Sequence, residues 1–180
     1  MDTEILTFST ENITPQLINQ LKRIDNAVFE EYSSRTLGYI MPTIAICATK
    51  DSSDLTQIFG KININLKTNH YLDKSVTRAQ LSNLAILPYM QQKGFGSKLV
   101  KTALSECKKQ KCYYAYLNIN NEQKNCKKLI KFYLKNGFIL PQNQALQTSK
   151  SITMIYPINS SFKQKNCEND LLQTYKIRNR

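Results

Sequence analysis

The stretch that decides the fold is residues 84–99, LAILPYMQQKGFGSKL. It begins as an apolar strand, which Pro88 ends, and passes through a glycine-containing loop into an amphipathic helix. Gly94 and Gly96 have no side chains, so the loop can bend sharply and approach a ligand closely. Amides at a helix start, together with the helix dipole, bind phosphate groups well. Two lysines add positive charge, and we therefore expect the loop 91–97 to hold a diphosphate.

The remaining apolar residues follow two periodicities. Alternation with polar neighbours, as at Ile62, Ile64 and Leu66, predicts half-buried strands, and a spacing of three to four residues predicts helices. Thr14-Pro15 is typical of a helix start. The predicted strands are Leu6–Ser9, Ile44–Thr49, Ile58–Leu66, Ala79–Leu87, Tyr113–Ile119, Phe138–Leu140 and Ile152–Ile158. The predicted helices run from Pro15 to near Phe29, from the glycine loop through Cys107, and over Gln123–Lys135.

This order of elements predicts a mixed α/β fold, in which a twisted sheet carries helices on its faces. The chain has 180 residues, enough for one well-formed core. We expect one domain over residues 1–158, with the polar stretch 67–74 as a loop. Residues 159–180 are basic and hold few apolar anchors, so we expect a mobile tail or an arm that a partner orders.

The composition is that of a soluble globular protein, with 41% hydrophobic and 21% charged residues. No apolar run is long enough to cross a bilayer and the start is not a signal peptide, so a cytoplasmic or nuclear location is expected. Five cysteines without paired spacing and a single histidine make a metal site improbable, and we expect buried thiols.

The net charge is +12. Three interpretations stay open: contact with nucleic acid, attraction of an anionic ligand, and simple solvation of helix surfaces.

Two motifs resemble those of the GNAT superfamily of N-acetyltransferases. Gln91, Gly94 and Gly96 fill the positions of its Gln/Arg-x-x-Gly-x-Gly signature for acetyl-coenzyme A. The run Phe132–Phe138, FYLKNGF, is similar to its second hallmark, Phe/Leu-Tyr-x-x-x-Gly-Phe. The resemblance implies a mostly antiparallel sheet of six to seven strands, splayed at a central parallel pair, with helices on both faces.

Within that superfamily, Ile5–Pro157 is most similar to NatE-type N-terminal acetyltransferases, more loosely between Tyr39 and Val76. This resemblance implies that an amine attacks the acetyl thioester directly, in a ternary complex. Pantetheine would lie between strands 80–87 and 113–119, and Tyr133 would protonate the leaving thiolate. The implied cofactor contacts are Leu84, Ala85, Ile86, Gln91, Gln92, Lys93, Gly94, Phe95, Gly96, Ser97, Asn125 and Tyr133.

The chain departs from the family where proton transfer is expected. The family's basic tyrosine and histidine fall near Gln80 and at Asn118, which are not bases at neutral pH but can orient a water molecule. Asn125 sits one place early, and the loop position that carries arginine in many members is Gln91. The implied substrate contacts are Phe29, Glu30, Glu31, Tyr32 and Tyr156, of which the two glutamates suit a charged amine or a basic peptide.

Two functions therefore compete. The first is an active N-acetyltransferase that acts on a peptide or protein N-terminus, or on a lysine or small amine. The second is a catalytically degenerate subunit that keeps the fold and serves a larger, ribosome-associated assembly. A nucleic-acid-binding module is a distant third that depends on charge alone.

Overall fold

The computed structural model describes residues 3–29, 42–71, 74–148, 150–159 and 166–172. Six strands and four helices are present in these ranges. The strands are β1 (Glu4–Ser9), β2 (Ile44–Thr49), β3 (Ile58–Tyr71), β4 (Lys74–Ile86), β5 (Tyr114–Asn120) and β6 (Ser151–Pro157). The helices are α1 (Pro15–Val28), α2 (Phe95–Lys109), α3 (Cys126–Lys135) and α4 (residues 166–172).

The six strands form one sheet in the order β1-β2-β3-β4-β5-β6. β2 pairs antiparallel with β1 and β3, and β5 pairs antiparallel with β6. β4 and β5 run parallel, with Arg78, Ala79 and Gln80 opposite residues 114–116. A parallel pair needs a long crossover, which α2 provides. The predicted mixed sheet with a parallel pair is confirmed.

Helix α1 begins as the sequence predicts. The Thr14 side chain accepts a hydrogen bond from the Leu17 amide at 3.2 Å, and proline occupies the first turn. The buried face holds Leu17, Leu21 and Ile24. The helix ends at Val28, within one residue of the predicted end.

Residues 67–71 were expected in a loop, but they continue β3, and β4 begins at Lys74. Polar side chains pair across the two strands and replace the apolar contacts that a sequence pattern detects. The ammonium of Lys67 donates to the Gln80 side-chain oxygen at 2.9 Å, and the hydroxyls of Thr68 and Thr77 are 3.0 Å apart. The loop prediction for 67–74 was therefore wrong over most of its length.

Two further boundaries differ from the predictions. The stretch predicted as the strand Phe138–Leu140 contributes a single antiparallel bridge, between Ile139 and Ile155. Helix α3 begins at Cys126 rather than at Gln123, because residues 121–125 form turns.

The chain forms two compact units. The first consists of Met1–Asn65 and Leu81–Ala103, and the second of Leu66–Gln80 and Leu104–Arg180. In the first unit, apolar side chains of α1, β2, β3 and α2 are buried. They include Leu21, Ile24, Ile46, Phe59, Ile62, Leu99 and Val100.

The second unit contains an apolar cluster to which helix α4 contributes. Cys167 and Leu171 of α4 pack with Val76, Tyr114 and other buried residues of the unit. Residues 166–172 are thus part of the folded unit rather than of a mobile tail. The sequence gives little sign of this because α4 presents only a few apolar side chains.

A buried ion pair joins α1 to β3 in the first unit. The ammonium of Lys61 lies 2.6 Å from an Asp25 carboxylate oxygen, with the side chains 0% and 19% exposed. Burial raises the pKa of Asp25 and lowers the pKa of Lys61, because each charged form loses solvation. Desolvation therefore outweighs the attraction between the two groups.

This balance predicts an asymmetric response to mutation. Asp25→Leu should lower the free energy of unfolding by about 3 kcal/mol, since it leaves the Lys61 ammonium buried without that carboxylate. The double variant Asp25→Leu/Lys61→Met should stay within about 1 kcal/mol of the wild type, because apolar residues often replace a buried pair without loss. Urea unfolding measures both. A double variant that loses as much as the two single variants together would contradict this account.

Candidate functional site

The chain turns tightly where β4 ends. The Met90 amide donates to the Leu87 carbonyl at 2.9 Å, and the Gln91 amide donates to the Pro88 carbonyl at 3.2 Å. Four exposed residues, 91–94, follow before α2 begins at Phe95. The loop thus projects from the fold at the amino end of a 15-residue helix.

The main-chain amides of residues 92–97 make no hydrogen bond within the part of the chain that the structure describes. The first amides of a helix have no partner inside it, so they remain available as donors. Within the predicted loop 91–97, only the Gln91 amide is already engaged. Six consecutive amides at the positive end of the α2 dipole therefore lack a hydrogen-bond partner among the described residues, and such amides can bind anions.

Two residues of the loop have left-handed backbone conformations. Gln92 has φ 61° and Gly94 has φ 83°. Turns with such residues point successive amides toward one concave side, a nest that suits phosphate. At Gly94 a side chain would meet no atom within 4 Å, so the constraint there is the backbone angle rather than space.

Side chains hold this loop against the first unit. The Gln91 side-chain nitrogen donates to the Ile86 carbonyl at 2.8 Å, and the Phe95 ring packs edge-on against Phe59 with centroids 4.9 Å apart. The Lys98 ammonium donates to the Thr3 carbonyl at 3.1 Å. Gln91 and Lys98 therefore anchor the loop through their side chains.

The carboxyl end of β4 has an irregularity that the sequence analysis missed. Asn83 has φ 51° inside the strand, as in a β-bulge, and asparagine is one of the few residues that adopts this conformation readily. Residues 84–86, which are among the implied cofactor contacts, follow it directly. A Cβ at Gly60 would lie 2.5 Å from the Ile86 side chain, so the glycine permits close packing there. The sequence indicates this irregularity only by the polar pair Ser82-Asn83, which interrupts the apolar run of residues 81–87.

Tyr133, the predicted acid, lies on α3 in the second unit. Its ring is buried and meets Phe132 and Phe138 edge-on, with centroids 5.0 and 5.4 Å away. Burial raises the pKa of Tyr133 above its ordinary value. The phenol is therefore protonated at neutral pH and can donate a hydrogen bond.

The two amide side chains predicted near the base positions have their oxygens engaged. The Gln80 oxygen accepts from the Lys67 ammonium at 2.9 Å and from the Tyr116 hydroxyl at 3.3 Å. The Asn118 oxygen accepts from the Thr153 hydroxyl at 2.9 Å. In each side chain the amide oxygen is thus occupied as an acceptor, and the N–H donors point away from that contact. Sequence reasoning had not connected Lys67 or Tyr116 to Gln80, because the link depends on strand register.

The other predicted contacts lie on different helices and strands. Asn125 is exposed at the start of α3, and Phe29 is half-buried at the end of α1. The Tyr156 ring packs against Phe138, with centroids 5.5 Å apart. The predicted substrate residues Glu30, Glu31 and Tyr32 lie outside the described residues.

All five cysteines are buried and unbridged. His70 is exposed, with a ring nitrogen 2.9 Å from the Ser75 hydroxyl. Among the residues that the structure describes, no three His, Cys, Asp or Glu side chains could hold a metal ion together. Within the same ranges, no helix has the length and apolar character to span a membrane.

Comparison with known proteins identifies a family. Residues 44–140, more than half of the chain, match the model described as "Acetyltransferase (GNAT) domain". No curated protein is significantly similar to the chain.

Solved structures share the fold at low sequence identity. The PaiA N-acetyltransferase from Thermoplasma acidophilum, in complex with coenzyme A, has a TM-score of 0.60 and 17% identity, covering 87% of this chain and 99% of that one. A chain of the NatC complex bound to Gag peptide and CoA has a TM-score of 0.60 and 14% identity, with coverage of 87% and 99%. The ribosomal-protein-S18-alanine N-acetyltransferase from Escherichia coli has a TM-score of 0.55 and 18% identity, covering 88% of this chain and 95% of that one.

The left-handed backbone at Gly94 predicts a graded response to substitution. Gly94→Ala should lower stability by about 1 kcal/mol, the cost of placing a Cβ in this conformation, and Gly94→Asn should cost less. Calorimetric titration with coenzyme A should show weaker binding in the same order, because relief of the strain turns the amides away. If Gly94→Val bound coenzyme A as tightly as the wild type, the loop conformation would not matter for binding.

Proposed function

Because the chain belongs to the GNAT acetyltransferase family, we propose that it transfers the acetyl group of acetyl-coenzyme A to an amine. The observation that carries this proposal is the row of unpaired amides at residues 92–97, at the positive end of helix α2. A diphosphate needs several donors at once, and the unpaired amides of this loop would supply them.

The described residues fit acetyl-coenzyme A in two respects. The amides of residues 92–97 would hold its pyrophosphate, with Lys93 and the helix dipole adding favourable charge. The main chain of residues 84–86, which follows the left-handed Asn83, would orient the acetyl carbonyl and stabilise the developing negative charge. When bound, acetyl-coenzyme A supplies an acetyl group activated as a thioester.

Tyr133 is the group that we assign to the leaving sulfur. Its raised pKa keeps the phenol protonated, so it would donate a hydrogen bond to the departing thiolate. Complete proton transfer from so weak an acid to a thiolate of ordinary pKa would be uphill. We therefore assign Tyr133 to hydrogen-bond stabilisation, with the final proton coming from solvent.

We assign no side-chain base. Gln80 and Asn118 have amide groups, and their oxygens already accept hydrogen bonds. The amine of the acceptor would reach the site unprotonated or lose its proton to water. Gln80 and Asn118 would then orient the acceptor or a water molecule through their N–H groups.

For the acceptor we propose a protein N-terminus. The resemblance to NatE-type enzymes supports this. Two structures that share the fold agree with it: the NatC complex is bound to Gag peptide and CoA, and the Escherichia coli enzyme is named ribosomal-protein-S18-alanine N-acetyltransferase. Phe29–Tyr32 and Tyr156 are the residues that we assign to acceptor contact. Association with a larger assembly or the ribosome belongs to the same proposal.

A catalytically silent subunit is the second candidate. The specific observation in its favour is that the positions expected to hold a base carry Gln80 and Asn118. Such a protein would keep the amide nest and could still bind acetyl-coenzyme A.

Two measurements in sequence test the proposal. Saturating acetyl-coenzyme A should raise the melting temperature of the wild type but not that of Gly96→Arg, whose side chain would obstruct the loop. No shift for the wild type would reject both candidates. A library of peptides with different N-termini should then acquire acetyl groups. Binding without any transfer would favour the silent subunit.

Tyr133→Phe isolates the proposed hydrogen bond to sulfur. The variant should bind coenzyme A normally and lower kcat by about 10²-fold, the lower end of the loss seen when one hydrogen-bond donor to a developing negative charge is removed. Tyr113→Phe, at a half-buried tyrosine in the same unit, is the matched control and should keep wild-type kcat. Steady-state kinetics with a peptide acceptor measures both, and an undiminished kcat in Tyr133→Phe would remove this residue from the mechanism.

Because the proposed mechanism assigns no side-chain base, it predicts the pH dependence. The value of kcat/KM should rise tenfold per pH unit and level off near about pH 8, where an α-amino group loses its proton. With a lysine acceptor kcat/KM would instead level off at about pH 10.4, and with a histidine base it would level off at about pH 6.5. Initial rates across this range distinguish the three cases, and the last profile would contradict water-assisted deprotonation.

A further inference from the structure

Helix α4 places two buried acids in the second unit. Glu168 and Asp170 are 6% and 5% exposed, although both lie in the stretch that the sequence predicts to be a tail. Glu168 accepts from the amides of Gln142 and Asn143 at 2.8 and 3.1 Å. It therefore fixes a loop, whereas Asp170 contacts the sheet.

Asp170 joins three strands through one carboxylate. One oxygen accepts from the Asn69 side chain of β3 at 2.9 Å. The other accepts from the Arg78 guanidinium of β4 at 2.8 Å and from the Tyr114 hydroxyl of β5 at 2.5 Å. Arg78 and Tyr114 are themselves 1% and 0% exposed. The Asp170 carboxylate and the Arg78 guanidinium are thus both out of water, and each compensates the charge of the other.

Arg78 and Tyr114 are also direct partners in the parallel pairing of β4 with β5. Burial, together with the hydrogen bond to Asp170, raises the pKa of Tyr114, so the phenol stays a donor. Asp170 therefore ties together, from outside the strands, the two residues of the first parallel pair.

The next parallel pair with side chains on the same face is Gln80 with Tyr116, two residues farther along each strand. The Tyr116 hydroxyl donates to the Gln80 oxygen at 3.3 Å, and the Lys67 ammonium donates to the same atom at 2.9 Å. A twist or shift of β4 against β5 at Arg78 and Tyr114 would change this hydrogen bond.

We propose that Asp170 is a positioning residue for acetyl transfer: by clamping Arg78 to Tyr114 it holds Gln80 and Tyr116 in register. This inference depends on the proposed function and on the role of Gln80 there. It assigns the C-terminal helix a part in the reaction that is separate from binding of coenzyme A by residues 92–97.

The experiment compares Asp170→Asn with Glu168→Gln in the full chain. Both variants remove a buried charge from the same helix. Asp170 binds side chains of three strands, whereas Glu168 binds the amides of Gln142 and Asn143. Asp170→Asn should lower kcat about tenfold and leave the Kd for coenzyme A within twofold of wild type. Glu168→Gln should leave both within twofold. Equal losses of kcat in the two variants would overturn the proposal.

A double variant separates positioning from folding. Arg78→Met/Asp170→Leu removes both charges and should regain the melting temperature lost in Asp170→Asn. It also removes the Asp170 carboxylate from the Tyr114 hydroxyl, so kcat should stay low. Recovery of kcat together with the melting temperature would show that the network is merely structural.

Hydrogen exchange gives a readout that does not need activity. Amides of residues 78–80 and 114–116 should exchange at least tenfold faster in Asp170→Asn than in the wild type, and at the wild-type rate in Glu168→Gln. Unchanged exchange in Asp170→Asn would overturn the clamp. If the wild type acetylates no acceptor while exchange changes as expected, the proposed function fails and the clamp stands.

Discussion

The parallel alignment of β4 and β5 is the constraint on which the rest of the structure depends. Parallel neighbours cannot be joined by a tight turn, so a helix must carry the chain back to the start of the next strand. Helix α2 does this, and its amino terminus necessarily follows the carboxyl end of β4. Unpaired amides thereby collect beside the strand end, and Gly94 lets the chain make the turn. The proposed anion site is thus a consequence of the chain topology, refined by a few residues.

Hydrogen-bond donors predominate among the groups that we assign to the proposed reaction. The loop offers amide N–H groups, Tyr133 offers a protonated phenol, and both Gln80 and Asn118 have their oxygens engaged by neighbours. Such groups stabilise negative charge as it develops on oxygen or sulfur. They do not remove a proton. In the proposed reaction the acceptor amine would therefore arrive unprotonated or lose its proton to water.

Buried charge has the same form in both units. Lys61 with Asp25, and Arg78 with Asp170, each connect a helix to a strand through a desolvated pair. Such pairs contribute little net stability, but breaking one is costly, because the remaining charge has no water to solvate it. They therefore favour one arrangement of helix on strand over its alternatives. In the second unit that arrangement includes α4, without which the guanidinium of Arg78 would lack its carboxylate.

The sequence by itself determined the features that depend on neighbours in the chain. Thr14 and the proline after it start α1, the strand–loop–helix pattern of residues 84–99 predicts the anion site, and apolar periodicity predicts most strands. Only the tertiary structure decided the features that depend on distant partners. Polar residues 67–71 became strand because they pair with β4, and Asp170 became buried because Asn69, Arg78 and Tyr114 surround it. A polar side chain has the same identity in a solvated tail as in a buried network, and only the groups opposite it determine which one it joins.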